Sequence, residues 1–237
     1  MVGAALSWDP VRNDLRARVE RRLDSLVLGE SEGPAEAGPA TTAALVARVR
    51  STRLEALGWT ASARTLQARL NFARRATPPD QDGGRSVPRW PDLSDGALLA
   101  TLDEWLVPLL GGAVGRADLE AIDMAAVLRG MVGHRIGELD RAVPGSITFA
   151  RGRQVPVDYS GERPSAAVRV QDAFGTATHP VVGGVPVVLA LLSPAGRPIQ
   201  VTADLPGFWT GSWADVRKDM AGRYPKHSWP ADPATRR

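Results

Sequence analysis

The chain has 237 residues, 43% hydrophobic and 23% charged, with a formal net charge of +3 and an isoelectric point near 9.9. That is globular composition at a length sufficient for one large domain or two small ones. It contains no cysteine, which excludes disulfides, thiolate chemistry, iron–sulfur clusters and cysteine-ligated zinc. It has neither an apolar run of bilayer length nor a signal-peptide layout at residues 1–10, so a cytoplasmic address is expected and a membrane partner is not.

Across residues 7–30, Leu15, Ala17 and Val19 alternate with Arg16 and Arg18, and a second apolar run covers 23–28. The period of two predicts a strand pair, too short to stand alone in water. Residues 29–40, rich in Gly, Pro, Ala and Glu, read as a linker. Leu45, Val46, Val49, Leu54 and Leu57 then recur at helical spacing, with Gly58 as the stop. Thr60 caps a second helix through Leu66, Leu70 and Ala73. Residues 77–89 read as a mobile loop. Ser94 opens a third helix with Leu98, Leu102, Trp105, Leu106 and Leu109 on one face and Pro108 near its end. Asp123 caps a fourth through Val127, Leu128 and Met131, which Gly130 and Gly133 weaken.

After Val143-Pro144-Gly145 the chain turns rich in Val, Ile and Thr. Residues 146–150, 154–159, 166–170, 185–192 and 198–202 are expected to be strands. The run 185–192 is apolar enough to be a central strand buried on both faces, although Pro186 limits its first ladder bond. A last helix is expected over 211–221. Ser212 and Asp215 give a capping-box start, Trp213, Val216 and Met220 an apolar stripe, and Gly222 a stop. The fold class is therefore α+β: an N-terminal strand pair, a helical middle segment and a C-terminal mixed sheet with a final helix. The corresponding boundaries are 1–30, 39–143 and 144–237.

Catalytic motifs are missing from these residues. There is no G-x-x-x-x-G-K-[ST], no G-x-G-x-x-G after a strand and no G-x-S-x-G. His134, His179 and His227 lack ligand spacing. The acidic neighbours Glu138 and Asp140, or Asp158 and Glu162, read as solvated faces or turns rather than acid/base pairs. No catalytic residue, metal or cofactor is assigned to this chain.

One segment does carry a signal. Lys218 and Lys226 are the only lysines. From residue 205 onward Arg217, Lys218, Arg223, Lys226, Arg236 and Arg237 outnumber Asp215, Asp219 and Asp232. Aromatic residues interleave with these bases over 204–232, the composition that single-stranded nucleic acid favours, because bases stack on rings while cations track phosphates. Trp209, Trp213 and Trp229 are read as structural aromatic anchors. Arg217, Lys218, Arg223, Tyr224, Lys226 and His227 are the candidate nucleic-acid-binding residues, with an acidic partner as the other option for the last four.

At this segment a family resemblance emerges. Phe208-Trp209, Val216-Arg217-Lys218-Asp219, Gly222-Arg223-Tyr224-Pro225-Lys226-His227 and Trp229-Pro230 resemble the C-terminal signature of the bacterial HrpB-type DEAH-box ATP-dependent RNA helicases. The likeness runs back through Pro198-Ile199-Gln200-Val201-Thr202, Leu191-Leu192-Ser193-Pro194, Asp158-Tyr159-Ser160-Gly161, Trp90-Pro91-Asp92-Leu93-Ser94-Asp95 and Arg21-Arg22-Leu23.

The resemblance implies that 1–30 ends an oligonucleotide-binding (OB-like) region and that 144–237 is the family-specific C-terminal α/β domain. It also implies that ATP and Mg serve a motor of two RecA-like domains whose motifs have no counterpart here. The expected role is then a non-catalytic accessory portion of the helicase that guides single-stranded RNA or DNA, with the helicase core domains as its partner. The alternatives are a protein-interaction module without RNA binding, marked by an exposed apolar patch at the three tryptophans, or an inactive truncated gene product. The sequence departs from the family pattern at 132–135, at 171–174 and in an expanded 78–89.

Overall fold

The computed structural model describes residues 2–23, 26–82, 85–87 and 89–235. They form two compact units, Met1–Arg64 with Asp92–Met131, and Thr65–Pro91 with Val132–Arg237.

The first unit opens with an antiparallel meander, β1 (Val2–Asp9), β2 (Asp14–Leu23) and β3 (Leu26–Pro34), with β2 in the middle. A strand pair within 7–30 and a linker were expected: β1 lies mostly before that range, and β3 starts in the second apolar run and extends into the first part of the linker. Its composition is tolerable because β3 is an edge: Pro34, opposite Arg16, closes the ladder where a missing N–H is cheap, and Glu32 meets Arg18 at 3.5 Å. The β1–β2 turn is built by Asp9, whose carboxylate accepts the N–H groups of Arg12 at 3.1 Å and Val11 at 2.8 Å. Those donors lower its pKa. Asn13 takes a left-handed conformation there, and its Oδ1 receives Trp8 Nε1 and Arg48 Nη2, each at 3.0 Å.

Helix α1 (Pro39–Ser51) buries Leu45, Val46 and Val49 but stops short of the expected Gly58. Arg53 and Leu54 adopt φ of 51° and 74°, a conformation that breaks a helix. Leu54 is nevertheless fully buried, and that burial offsets its backbone cost. Gly58 has a different role: the carbonyls of Glu120 and Ile122 occupy the space a Cβ would need.

Helix α2 (Ala61–Ala76) starts on the Thr60 cap, whose Oγ1 accepts Ala63 N–H at 3.1 Å. Its later turns belong to the second unit. Ser94 likewise caps α3 (Asp95–Ala100), accepting Ala97 N–H at 3.2 Å. The expected single helix breaks at Thr101 into α3, α4 (Leu102–Leu106) and a 3-10 turn, Val107–Leu109. The tighter 3-10 winding rotates Leu110 inward and leaves Leu109 49% exposed. Helix α5 (Arg116–Glu120) had no sequence signal; α6 (Met124–Val132) begins at Asp123, which accepts Ala125 and Ala126 N–H groups.

In the second unit a short hairpin, β4 (Asp80–Asp82) and β5 (Arg85–Val87), replaces the expected loop. Residues 83, 84 and 88 of that loop lie outside the described residues. Arg89 reaches Glu138 of α7 (Ile136–Ala142) at 2.6 Å and Asp80 at 3.1 Å, while Arg135 donates to the Arg89 carbonyl at 2.7 Å. The Arg89 hydrogen bond holds the Glu138 carboxyl below its usual range. Two stretches expected to depart from the family pattern, 78–89 and 132–135, thus meet through Arg89 and Arg135.

A hairpin, β6 (Ser146–Thr148) and β7 (Gln154–Pro156), precedes β8 (Ser165–Arg169), a one-turn α8 (Val170–Ala173), β9 (Val181–Val182), β10 (Val185–Pro186), β11 (Val188–Leu192) and β12 (Pro198–Thr202). Strand β11 is central, parallel to β8 and antiparallel to β12. The expected continuous strand over 185–192 divides at Val187, because Gly183 and Gly184, both at positive φ, close a two-residue β9–β10 turn. Only one face of β11 is fully buried: Leu189 and Leu191 are inaccessible while their neighbours are partly exposed.

Two helices follow, α9 (Leu205–Thr210), which the sequence reading missed, and α10 (Trp213–Arg223). Ser212 does not cap α10. Its backbone is already helical, whereas a capping side chain needs an extended one. Nor does Gly222 stop the helix, which continues through Arg223. The class is α+β, with N-terminal antiparallel strands and a C-terminal mixed sheet ending in a helix.

Candidate nucleic-acid interface

The interface candidate lies where α10 leaves the core. Helix α9 starts at Asp204, whose Oδ1 accepts Gly207 N–H at 3.0 Å. That carboxylate also fills the space a Cβ at residue 207 would need. The helix delivers Phe208 and Trp209 into a cluster with Trp213 and Phe174. Ring centroids are 5.0 Å apart for Phe208–Trp209, 5.5 Å for Trp209–Trp213 and 5.5 Å for Phe174–Trp213. Trp209 is 7% exposed and Trp213 1%. Both indole N–H groups are satisfied, by the Thr176 and Pro230 carbonyls at 3.0 Å each, as buried indoles require. Phe174, part of this cluster, carried no sequence signal.

Along α10 the charged residues do not form one basic stripe. At about 100° per residue, Arg217 and Arg223 flank the Trp213–Val216–Met220 stripe on opposite sides, and Lys218 points away from it among Asp215 and Asp219. Arg223 pairs with Asp219 at 2.9 Å. Arg217 is partly buried and Lys218 exposed. Among the described residues neither Arg217, Lys218 nor Lys226 has an ion-pair partner.

The helix ends when Tyr224 N–H bonds the Met220 carbonyl at 2.8 Å. Tyr224-Pro225-Lys226-His227 is then a β-turn, closed by His227 N–H to the Tyr224 carbonyl at 3.1 Å, with proline at the position that presets its φ. The same carbonyl accepts Trp229 Nε1–H at 3.0 Å, so both its lone pairs are used. This backbone hub is the feature sequence reasoning missed; only Pro225 hinted at it.

It sets the rings in series. Tyr224 and His227 are 6.2 Å apart and near-perpendicular, His227 and Trp229 6.5 Å, and Trp229 and Trp213 6.2 Å. Tyr224 and Trp229 are partly buried, while Lys226 and His227 are exposed. The structure therefore brings Tyr224, Lys226 and His227 together in one turn, leaves Arg217, Lys218 and Arg223 spread around the preceding helix, and sinks Trp209 and Trp213 in the core. Arg236 and Arg237 lie outside the described residues.

Four of the other groups considered for chemistry, His179, Glu138, Asp140 and Asp158, are committed elsewhere. His179 Nδ1 accepts Leu205 N–H at 3.0 Å, which leaves Nε2–H to donate to the Val187 carbonyl at 2.8 Å. Glu138 pairs with Arg89 and Asp140 with Arg69. Asp158 accepts Ser160 N–H at 2.8 Å, a bond that lowers its pKa. Among the described residues no group of three or more His, Asp or Glu side chains could hold a metal ion, and no helix is long and apolar enough to cross a membrane.

Comparison with known proteins places this geometry. The model of the ATP-dependent helicase C-terminal family of HrpB type matches residues 105–233. The ATP-dependent RNA helicase HrpB of Escherichia coli (strain K12) is 36% identical over 233 residues, 97% of this chain and 28% of that protein. A crystal structure of the E. coli DExH-box NTPase HrpB superposes with a TM-score of 0.77 at 35% identity, covering 100% of this chain and 29% of that one. A second, of the E. coli DEAH/RHA helicase HrpB, gives a TM-score of 0.65 at 32% identity over 97% of this chain and 28% of that one. The chain thus spans less than a third of the length of the relatives it matches. With the signature around the Tyr224 turn and the family match over residues 105–233, the chain belongs to the HrpB-type ATP-dependent helicase C-terminal family.

Proposed function

We propose that this chain is a non-catalytic accessory portion of an HrpB-like ATP-dependent RNA helicase, and that it contacts single-stranded nucleic acid through Lys218, Arg217 and the Tyr224–His227 turn. ATP and Mg would serve core domains outside these 237 residues, in the cytoplasm. The observation that carries the reading is the pairing of exposed ammonium groups, without an ion pair among the described residues, with an exposed ring on a hydrogen-bonded turn, the combination that binds phosphates and bases at once. Arg223 is partly neutralised by Asp219 and contributes less. A protein-docking patch of tryptophans is not favoured, since Trp209 and Trp213 are buried.

The test is a fluorescence-anisotropy titration of the full chain with a single-stranded RNA oligonucleotide at several salt concentrations. Binding at low salt is expected, with log affinity falling by about 0.7 per decade of salt for each phosphate contact. No binding at low salt would overturn the proposal.

A further inference from the structure

The rings of the turn are not equivalent, and their differences single out one of them. Tyr224 is tied down at both ends. Its carbonyl holds two hydrogen bonds, and its hydroxyl lies 3.5 Å from Oγ of Ser193, a residue only 1% exposed. Trp229 is braced by its N–H bond to that same carbonyl and by Trp213, itself 1% exposed. His227 stands between Tyr224 and Trp229 in this series, its centroid 6.2 and 6.5 Å from theirs, and is the exposed ring of the three. Its two ring nitrogens have no hydrogen-bond partner among the described residues. Its backbone N–H is spent on closing the turn, so the main chain that carries the ring is held while the ring itself is exposed. Beside it, Lys226 occupies the third position of the turn, its ammonium group without an ion pair among the described residues.

We infer that the imidazole of His227 is a stacking platform for one unpaired nucleobase, with Tyr224 and Trp229 as its supports and Lys226 holding a flanking phosphate. This rests on the nucleic-acid reading above and sharpens it: Tyr224, the ring that composition alone favours, is a brace and does not take the base. An unpaired base is required, because a base inside a duplex is already stacked on its neighbours and cannot be splayed onto a protein ring. The preformed turn lowers the ordering cost of binding, since the main chain that carries the ring is already held when the base arrives.

The experiment compares two fluorescent single-stranded oligonucleotides of equal length and charge, one with uracil bases and one abasic, against the full chain and its His227→Ala and His227→Phe variants. The expected result is a loss of about tenfold in affinity for the base-bearing strand in His227→Ala, the scale of one base–ring stack. His227→Phe is expected to keep the affinity, and neither variant should change binding to the abasic strand. Equal losses on both strands would mean that His227 acts through charge or turn geometry, and would overturn the inference. An unchanged His227→Ala affinity on the base-bearing strand would overturn it too, while leaving the phosphate-binding reading intact. Wild-type chain that binds neither strand would overturn both. Matching thermal unfolding curves for the three proteins exclude misfolding as the cause of any loss.

Discussion

Tyr159 shows how much one hydroxyl decides. The residue is 2% exposed, its ring lies 5.2 Å from that of Phe72, and its OH donates to the Pro144 carbonyl at 2.6 Å. Arg69 holds the preceding carbonyl, Val143, through Nε and Nη2 at 2.9 and 2.7 Å. Together the two side chains hold the Val143-Pro144-Gly145 segment that leads into β6. Tyr159→Phe preserves the packing and orphans the carbonyl, so a loss of about 1–3 kcal/mol of stability is expected in a denaturant titration at neutral pH. Burial pushes the Tyr159 phenol up to about 12, against about 10 in an unfolded chain. Its contribution is fully present below about pH 10 and is lost as pH rises toward 12, because the unfolded chain ionises first. Stability should therefore fall more steeply between pH 10 and 12 in the native chain than in Tyr159→Phe. Equal slopes would show that this phenol does not carry the alkaline sensitivity. The sequence placed this residue only at the end of an expected strand over 154–159, and its partner is a backbone carbonyl, which no sequence pattern announces.

At the scale of elements, side-chain caps were legible and backbone devices were not. Thr60, Ser94 and Asp123 each precede a helical run and each accepts the N–H groups expected of it, because a cap is a local bond between near neighbours. Ser212 looked equivalent but lies between two helices in a backbone already helical. The working cap of this region is Asp204, eight residues earlier, on a helix too short to show periodicity. Helix α1 stopped early because Arg53 and Leu54 are left-handed, a state imposed by packing on residues that do not favour it. Strand β1 was not anticipated, and the second half of β3 and the β4–β5 hairpin escaped notice because Gly, Glu and Asp lack strand propensity and pairing holds them. Asp204→Ala removes the α9 cap and should cost about 1 kcal/mol. Asp204→Asn, which keeps an acceptor oxygen, should cost much less. Thermal unfolding of both variants checks this: equal losses would indicate that the carboxylate charge, and not its hydrogen bond, matters.

Over the whole molecule, charge is abundant but little of it is available. Bases and acids nearly balance, 29 against 26, and many arginines are already engaged, as Arg116 is with Glu120 at 2.7 Å and Arg223 with Asp219 at 2.9 Å. Counting arginines in the sequence therefore exaggerates the surface that nucleic acid could use. The useful signal was narrower: the two lysines, both in the C-terminal segment and both exposed without an ion pair among the described residues. The composition of that segment was legible, whereas the Tyr224 carbonyl that organises its turn was not.

A guanidinium held by a neighbouring carboxylate must give up that partner before it can take a phosphate, and the exchange releases little counterion. Removing an exposed, unpaired ammonium deletes a whole contact. Changing Lys218 and Lys226 together to Ala should reduce the magnitude of the salt slope for single-stranded RNA by about 1.4, twice the value for one contact. Arg116→Ala should leave the slope unchanged and Arg223→Ala should shift it by less than one contact. A slope that falls equally for all of these changes would mean that binding follows net charge over the entire surface and not the turn at the end of α10.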